Sequence, residues 1–217
     1  MFRYFIILYL FLNRDNIIQT YYKHIIIMKS TKKKLKTKHF RYLSKAHIKD
    51  PDRFIEEIIL NDKRDWASHI NHFLTSTFYP QMRSPFYDGL GGLFTGMKQM
   101  IEIAFIIISY DDHPPLPRER VFQHLAKGLF EAELDLQIAL PINVLSNFCG
   151  YMTMKEWLDF VDKLLLIRDL TDEEQLAKHF DSSYIAKHTL LTQLPKALLK
   201  IFKDGGVYKY FNKRKTN

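Results

Sequence analysis

The chain has 217 residues, with 32 Lys and Arg against 24 Asp and Glu, nine His and one Cys, for a formal net charge of +8. One cysteine excludes an internal disulfide framework and any cysteine-built zinc finger, and it fits a reducing compartment. Eight glycines, eight prolines and 47% hydrophobic residues exclude a collagenous chain and disorder throughout, while the length suits one well-cored domain.

In chain order, the first feature is a partition of charge. Residues 1–49 carry twelve Lys and Arg and one acid, Asp15. Residues 50–195 carry 13 bases and 22 acids, and residues 196–217 carry seven bases and one acid, Asp204. The surplus therefore belongs to two basic ends around an acidic body.

Residues 1–27 contain no Ala, Gly, Val, Pro, Ser or Glu, and Met28 opens a more ordinary protein start, MKSTKKKLKTKHF. We expect translation to begin at Met28, which removes Arg3, Arg14, Lys23 and Asp15 and leaves a net charge of +6. The other readings are a buried element and a weak membrane-associating segment. Against the latter, Asn13, Arg14 and Asp15 end the apolar run Tyr4–Leu12 well short of the roughly 20 residues a span needs.

Residues 28–49 read as a basic arm. Lys32, Lys33, Lys34, Lys36, Lys38, Arg41 and Lys45 are interleaved with His39, Phe40 and Tyr42. Helical signals begin at Asp50-Pro51, an N-cap followed by proline at the first helical position. Phe54, Ile55, Ile58 and Ile59 then form a stripe, with Glu56 and Glu57 opposite. A second amphipathic stretch runs from about Lys63 to Thr77, with Trp66, Ile70, Phe73 and Leu74 on one side. The segment from Tyr79-Pro80 to Ser84-Pro85 reads as a loop.

Phe86 to Tyr110 is the most apolar stretch, but Asp88, Lys98, Gln99 and Glu102 lie inside it, so a buried central helix is expected. Lys98 and Glu102 have the i, i+4 spacing of a partly exposed ion pair, and the tail Ile101–Ser109 could alternatively be a short strand. Glycines 89, 92 and 96 share one helical face and would let a neighbouring helix approach closely. Gly91 to Gly96 has the spacing of a phosphate loop, but Met97-Lys98 follows where Lys-Ser/Thr is required.

Asp111 to Pro117 contains three prolines and breaks the helix. Helical periodicity resumes from Arg118 to about Leu140. Thr153 with Glu156 and Thr171 with Glu174 both match the capping box. The first opens a stripe of Trp157, Leu158, Val161, Leu164 and Leu165. Two short helices, about Ser183–Gln193 and Pro195–Lys203, should end at Asp204-Gly205-Gly206. The expected fold is all-α: a single-domain helical bundle of about six to eight helices over 50–203, with basic N- and C-terminal arms.

The chemistry is thinner. Arg64-Asp65-Trp66-Ala67-Ser68-His69 resembles the R-[NDH]-x3-H motif of HEPN ribonucleases, which are small helical bundles. The resemblance covers these six residues. It would make His69 the acid or base on the attacking 2′-hydroxyl or the leaving 5′-oxygen, with Arg64 stabilising phosphorane charge. The plainer reading puts Arg64 and Asp65 on a solvated helix face and His69 partly buried. His69 with His72, and Asp111-Asp112-His113, are too sparse for a metal site. We expect no metal and no cofactor. Cys149 sits in an apolar stretch and reads as a core thiol.

The last 14 residues, 204–217, form a second basic arm in which Tyr208, Lys209, Tyr210, Phe211, Lys213, Arg214 and Lys215 alternate aromatics with cations. Lysines neutralise phosphates and aromatics stack on unpaired bases, so both arms have the composition of nucleic-acid contacts, RNA or DNA. The expected function is a cytoplasmic, non-catalytic, nucleic-acid-associated accessory or regulatory factor. The alternatives are the HEPN-like endoribonuclease and a helical scaffold that forms a homo-oligomer through the Phe86–Tyr110 helix. A membrane partner is not expected.

Overall fold

Apolar side chains at helical spacing, punctuated by caps, fold into eight α-helices and no strand among the described residues. The computed structural model describes residues 37–62, 64–78, 90–111, 141–170 and 182–215, together with Pro115, Arg118, Val121, Gln175, Leu176, Lys178 and His179. All of these lie within the unit Lys34–Asn217. After a 3-10 turn at Thr37–His39 come α1 (Lys45–Lys49) and α2 (Pro51–Phe54), which continues as π-helical turns over Ile55–Leu60. Then follow α3 (Trp66–Phe78), α4 (Leu90–Ile108), α5 (Pro141–Tyr151), α6 (Met154–Arg168), α7 (Ser182–Lys203) and α8 (Val207–Lys215). The expected all-α bundle is what forms, and Ile101–Ile108 is helix rather than strand.

The central element is α4, which packs against α1, α2, α3, α5, α6 and α7. Met97, Met100, Ile101, Ile103, Ala104 and Ile107 are all sealed from solvent, on more than one side of the helix. The window Gly91–Ile108 is long and apolar enough to cross a membrane, and 67% of it is buried inside the fold. Two tryptophans fasten neighbouring helices together. Trp157 stacks on Phe148 with centroids 4.3 Å apart and donates to the Phe148 carbonyl at 3.0 Å, locking α6 to α5. Trp66 donates to the Ile58 carbonyl at 2.9 Å, while its ring lies against Gly96. The close approach expected along the glycine face is thus made by an indole, at Gly96, and by the Arg64 guanidinium, at Gly92. Gly89 lies outside the described residues.

The expected Lys98–Glu102 pair does not form. Lys98 reaches outward to Asp162 on α6 and to the Tyr42 hydroxyl at 3.2 Å. Glu102 is fully buried and accepts the backbone N–H groups of Arg41 at 2.7 Å, Tyr42 at 3.0 Å and Leu43 at 3.0 Å. A carboxylate cut off from water needs such donors, and three backbone amides satisfy it better than one flexible ammonium.

A second difference lies at Pro195. The two short helices expected around it are one, α7, with Pro195 inside. An interior proline costs about 3 kcal/mol. Leu190, Leu191, Leu194, Leu198 and Ile201 line one continuous buried face on both sides of it, and each contributes about 1.5–3 kcal/mol by leaving water. Burial outweighs the defect.

The Thr153–Glu156 capping box forms as expected, with Glu156 N–H donating to Thr153 Oγ1 and Thr153 N–H to the Glu156 carboxylate. On α6, Trp157, Val161 and Leu164 are buried, but helical register carries Leu165 to the flank and places Ile167 inside instead. The expected loop at 79–85, most of the 111–117 break and of the 118–140 helix, and the Thr171–Glu174 box lie outside the described residues. From that stretch, Val121 is fully buried and Arg118 lies over the Tyr151 ring at 4.9 Å.

Glu102→Ala should strand three backbone donors and destabilise the fold by about 3 kcal/mol or more, with faster amide exchange at Tyr42 and Leu43. Unchanged exchange there would contradict this role. Gly96→Ala should cost about 1–3 kcal/mol by driving a methyl into the Trp66 ring. Gly91→Ala, with open space around it, should stabilise by about 0.5–1 kcal/mol in urea denaturation.

Candidate nucleic-acid interface

The basic C-terminal segment is not a loose tail between 207 and 215. Helix α7 stops at two glycines in the left-handed region, Gly205 at φ 113° and Gly206 at φ 86°. The Gly206 N–H returns to the carbonyls of Ile201 and Phe202, closing the helix end. A side chain at Gly206 would also collide with the Asp52 carboxylate. That carboxylate, contributed by α2, accepts the Val207 N–H at 2.9 and 3.1 Å and so caps the start of α8. Desolvation is the main influence on Asp52 and raises its pKa above the ordinary 3.8; the Val207 hydrogen bond pulls the other way, and Asp50 adds to the rise.

Val207 and Phe211, four residues apart, are buried in the core and fix one face of α8. Tyr110, in the turn just beyond α4, stacks on Phe211 with centroids 6.4 Å apart, and Tyr210 meets the same ring edge-on at 5.6 Å. The opposite side faces solvent: Tyr208 is 75% exposed, and Lys209 and Asn212 are exposed. Lys213, Arg214 and Lys215 occupy the last turn, and no acidic residue lies in the helix.

At the other end of the described fold, Lys38 and Arg41 are exposed, Arg41 with its backbone bound to Glu102. Lys32, Lys33, Lys34 and Lys36 lie outside the described residues. From residue 41 onward the expected basic arm belongs to the body: Gln99 donates to the Tyr42 carbonyl at 3.1 Å, and Ser44 caps α1. Sequence reasoning missed Asn212 as a polar member of the exposed α8 face, which its i+4 spacing from Tyr208 would have indicated. It also missed Asp52 as the anchor of α8, for which no local signal exists.

Arg64 and His69 bond to different partners, the Asp62 carboxylate and the Asp65 carbonyl. Arg64 grips the Asp62 carboxylate through Nε at 2.8 Å and through Nη2, and lies over the Trp66 ring at 4.3 Å. The Arg64 hydrogen bond is the chief reason the Asp62 carboxyl is held below its ordinary range. His69 Nδ1 donates to the Asp65 carbonyl at 2.8 Å, which directs Nε2 away from its own helical turn. Arg64 is thus engaged by Asp62 and Trp66 at the mouth of the α3–α4 contact. Among the described residues no group of three or more His, Cys, Asp or Glu stands together. Cys149 is buried on α5, and burial pushes its thiol well above the usual range.

No family model, no curated protein and no solved structure matches this chain.

Because burial raises Asp52 above its unfolded value, the fold favours its protonated form. Stability from this group is full below the unfolded pKa and is lost as pH rises through the folded pKa. Asp52→Asn keeps an oxygen acceptor for Val207 and removes the desolvated charge, so its melting temperature should be no lower than wild type and should fall less with rising pH across the carboxylate range. Asp52→Ala should lose the cap, about 1 kcal/mol. Equal melting curves for all three would remove Asp52 as the anchor of α8.

Proposed function

We propose that this protein is a non-catalytic, nucleic-acid-associated accessory factor of the cytoplasm that contacts phosphates through its basic ends. The observation that carries the reading is α8: an acid-free helix with Lys209, Lys213, Arg214 and Lys215 in nine residues, held by Val207 and Phe211 in the core. Positive charge on a rigid element loses little conformational entropy when it meets a phosphate backbone. The rest of the chain is acidic over 50–195, with 22 acids against 13 bases. Duplex or single strand is therefore repelled from the body and drawn to the ends. Lys38 and Arg41 extend the same character to the N-terminal side. The cytoplasmic assignment rests on the lone cysteine, a buried thiol.

Catalysis by Arg64 and His69 has less support, because the guanidinium is already committed to Asp62 and Trp66. Self-association through α4 has little surface to use, since most of that helix is covered by its own fold.

Fluorescence anisotropy with labelled RNA and DNA oligonucleotides tests the reading. Replacing Lys209, Lys213, Arg214 and Lys215 together by Ala should weaken binding, and the slope of log K against log salt should shrink by about 0.7–0.9 for each phosphate no longer neutralised. Wild-type protein that binds neither nucleic acid at low salt removes the proposal. So does a quadruple variant with an unaltered slope.

A further inference from the structure

We infer that the α8 surface selects unpaired nucleic acid, RNA or DNA, by stacking a base on Tyr208; this deepens the nucleic-acid reading above and rests on it. Tyr208 is the most exposed large hydrophobic residue among those described, at 75%, in a fold that buries Tyr151 and Tyr184 almost completely. Its position is not adventitious flexibility of a chain end. Val207 before it and Phe211 after it are anchored in the core, and Asp52 holds the first turn of the helix. The ring therefore projects from a fixed backbone, beside Lys209 and one turn before Asn212, both exposed.

A phosphate-binding helix gains nothing from an outward phenol ring if the ligand is a duplex, whose bases are already stacked on one another. A single strand offers the face of each base, and stacking on an aromatic side chain adds to the phosphate contacts without regard to sequence. Lys209 next in sequence then supplies a cation within a nucleotide's reach of the stacked base. Asn212 adds a polar group able to donate or accept at a base edge or sugar. The acidic body argues in the same direction, because a rigid duplex lying along α8 brings a second row of phosphates toward that body, whereas a flexible strand can follow the helix alone.

An anionic membrane fits the surface less well. An interfacial helix must insert an apolar face, and the apolar face of α8, Val207 and Phe211, is already used inside the protein.

The experiment uses the full chain and its Tyr208→Ala, Tyr208→Phe and Lys209→Ala variants. Anisotropy is read with labelled single strands of about 20 nucleotides, as DNA and as RNA, with a duplex of the same phosphate count, and with phosphatidylserine vesicles. Tyr208→Ala should weaken single-strand binding about ten-fold and duplex binding by less than about two-fold, while Tyr208→Phe stays close to wild type. Lys209→Ala should weaken both ligands alike. A Tyr208→Ala loss that is absent, or equal on duplex and single strand, overturns the inference while leaving phosphate contact by α8 standing. Failure of the wild type to bind any oligonucleotide overturns both, as does binding to vesicles alone.

Discussion

Glu102 places a carboxyl group in the closed core, on the helix that six other helices of the bundle surround. Such a group is tolerated only with its hydrogen bonds complete, and the donors come from three consecutive amides, Arg41, Tyr42 and Leu43. The consequence runs outward from there. The chain at 41–43 must lie along α4, Gln99 and Lys98 fasten Tyr42 beside it, and Ser44 then starts α1 in a fixed direction. The capping Asp50 follows, and with it α2 and the position of Asp52. One buried carboxylate in the middle of the bundle thus sets where the N-terminal helices begin.

Asp52 passes that order to the other end of the chain. Its side chain reaches the first amide of α8, 155 residues away, and only a glycine at 206 leaves room for it. The two regions richest in positive charge are therefore tied to the same folded body rather than trailing from it, as far as residues 37–49 and 207–215 extend. Helix α8 turns Val207 and Phe211 inward and Tyr208 and Lys209 outward, so the side chains that pack the core are not those left in solvent.

The glycines of α4 have a division of labour. Gly96 makes room for the Trp66 indole, whose N–H holds the Ile58 carbonyl in the π-helical turns, and Gly92 admits Arg64. Arg64 then covers the outer face of the same indole and pairs with Asp62. The cation, the aromatic ring and the carboxylate form one structural unit around the α3 start. Two of the six residues that resemble a ribonuclease motif, Arg64 and Trp66, belong to this unit.

The sequence by itself determined what depends on neighbours within a turn or two. Helical spacing gave α3, α4 and α6 their buried faces; Thr153 and Glu156 fixed the start of α6; Gly205-Gly206 ended α7; and the charge counts placed positive charge at the ends. Each of these is a local rule of register, capping or composition. The tertiary structure alone decided where Lys98 and Glu102 would turn, that burial would carry α7 through Pro195, that an indole rather than a helix would fill the glycine face, and that Asp52 would hold α8. These contacts join residues tens to more than a hundred positions apart, so their energies depend on what the fold brings alongside and leave no periodic trace in the chain.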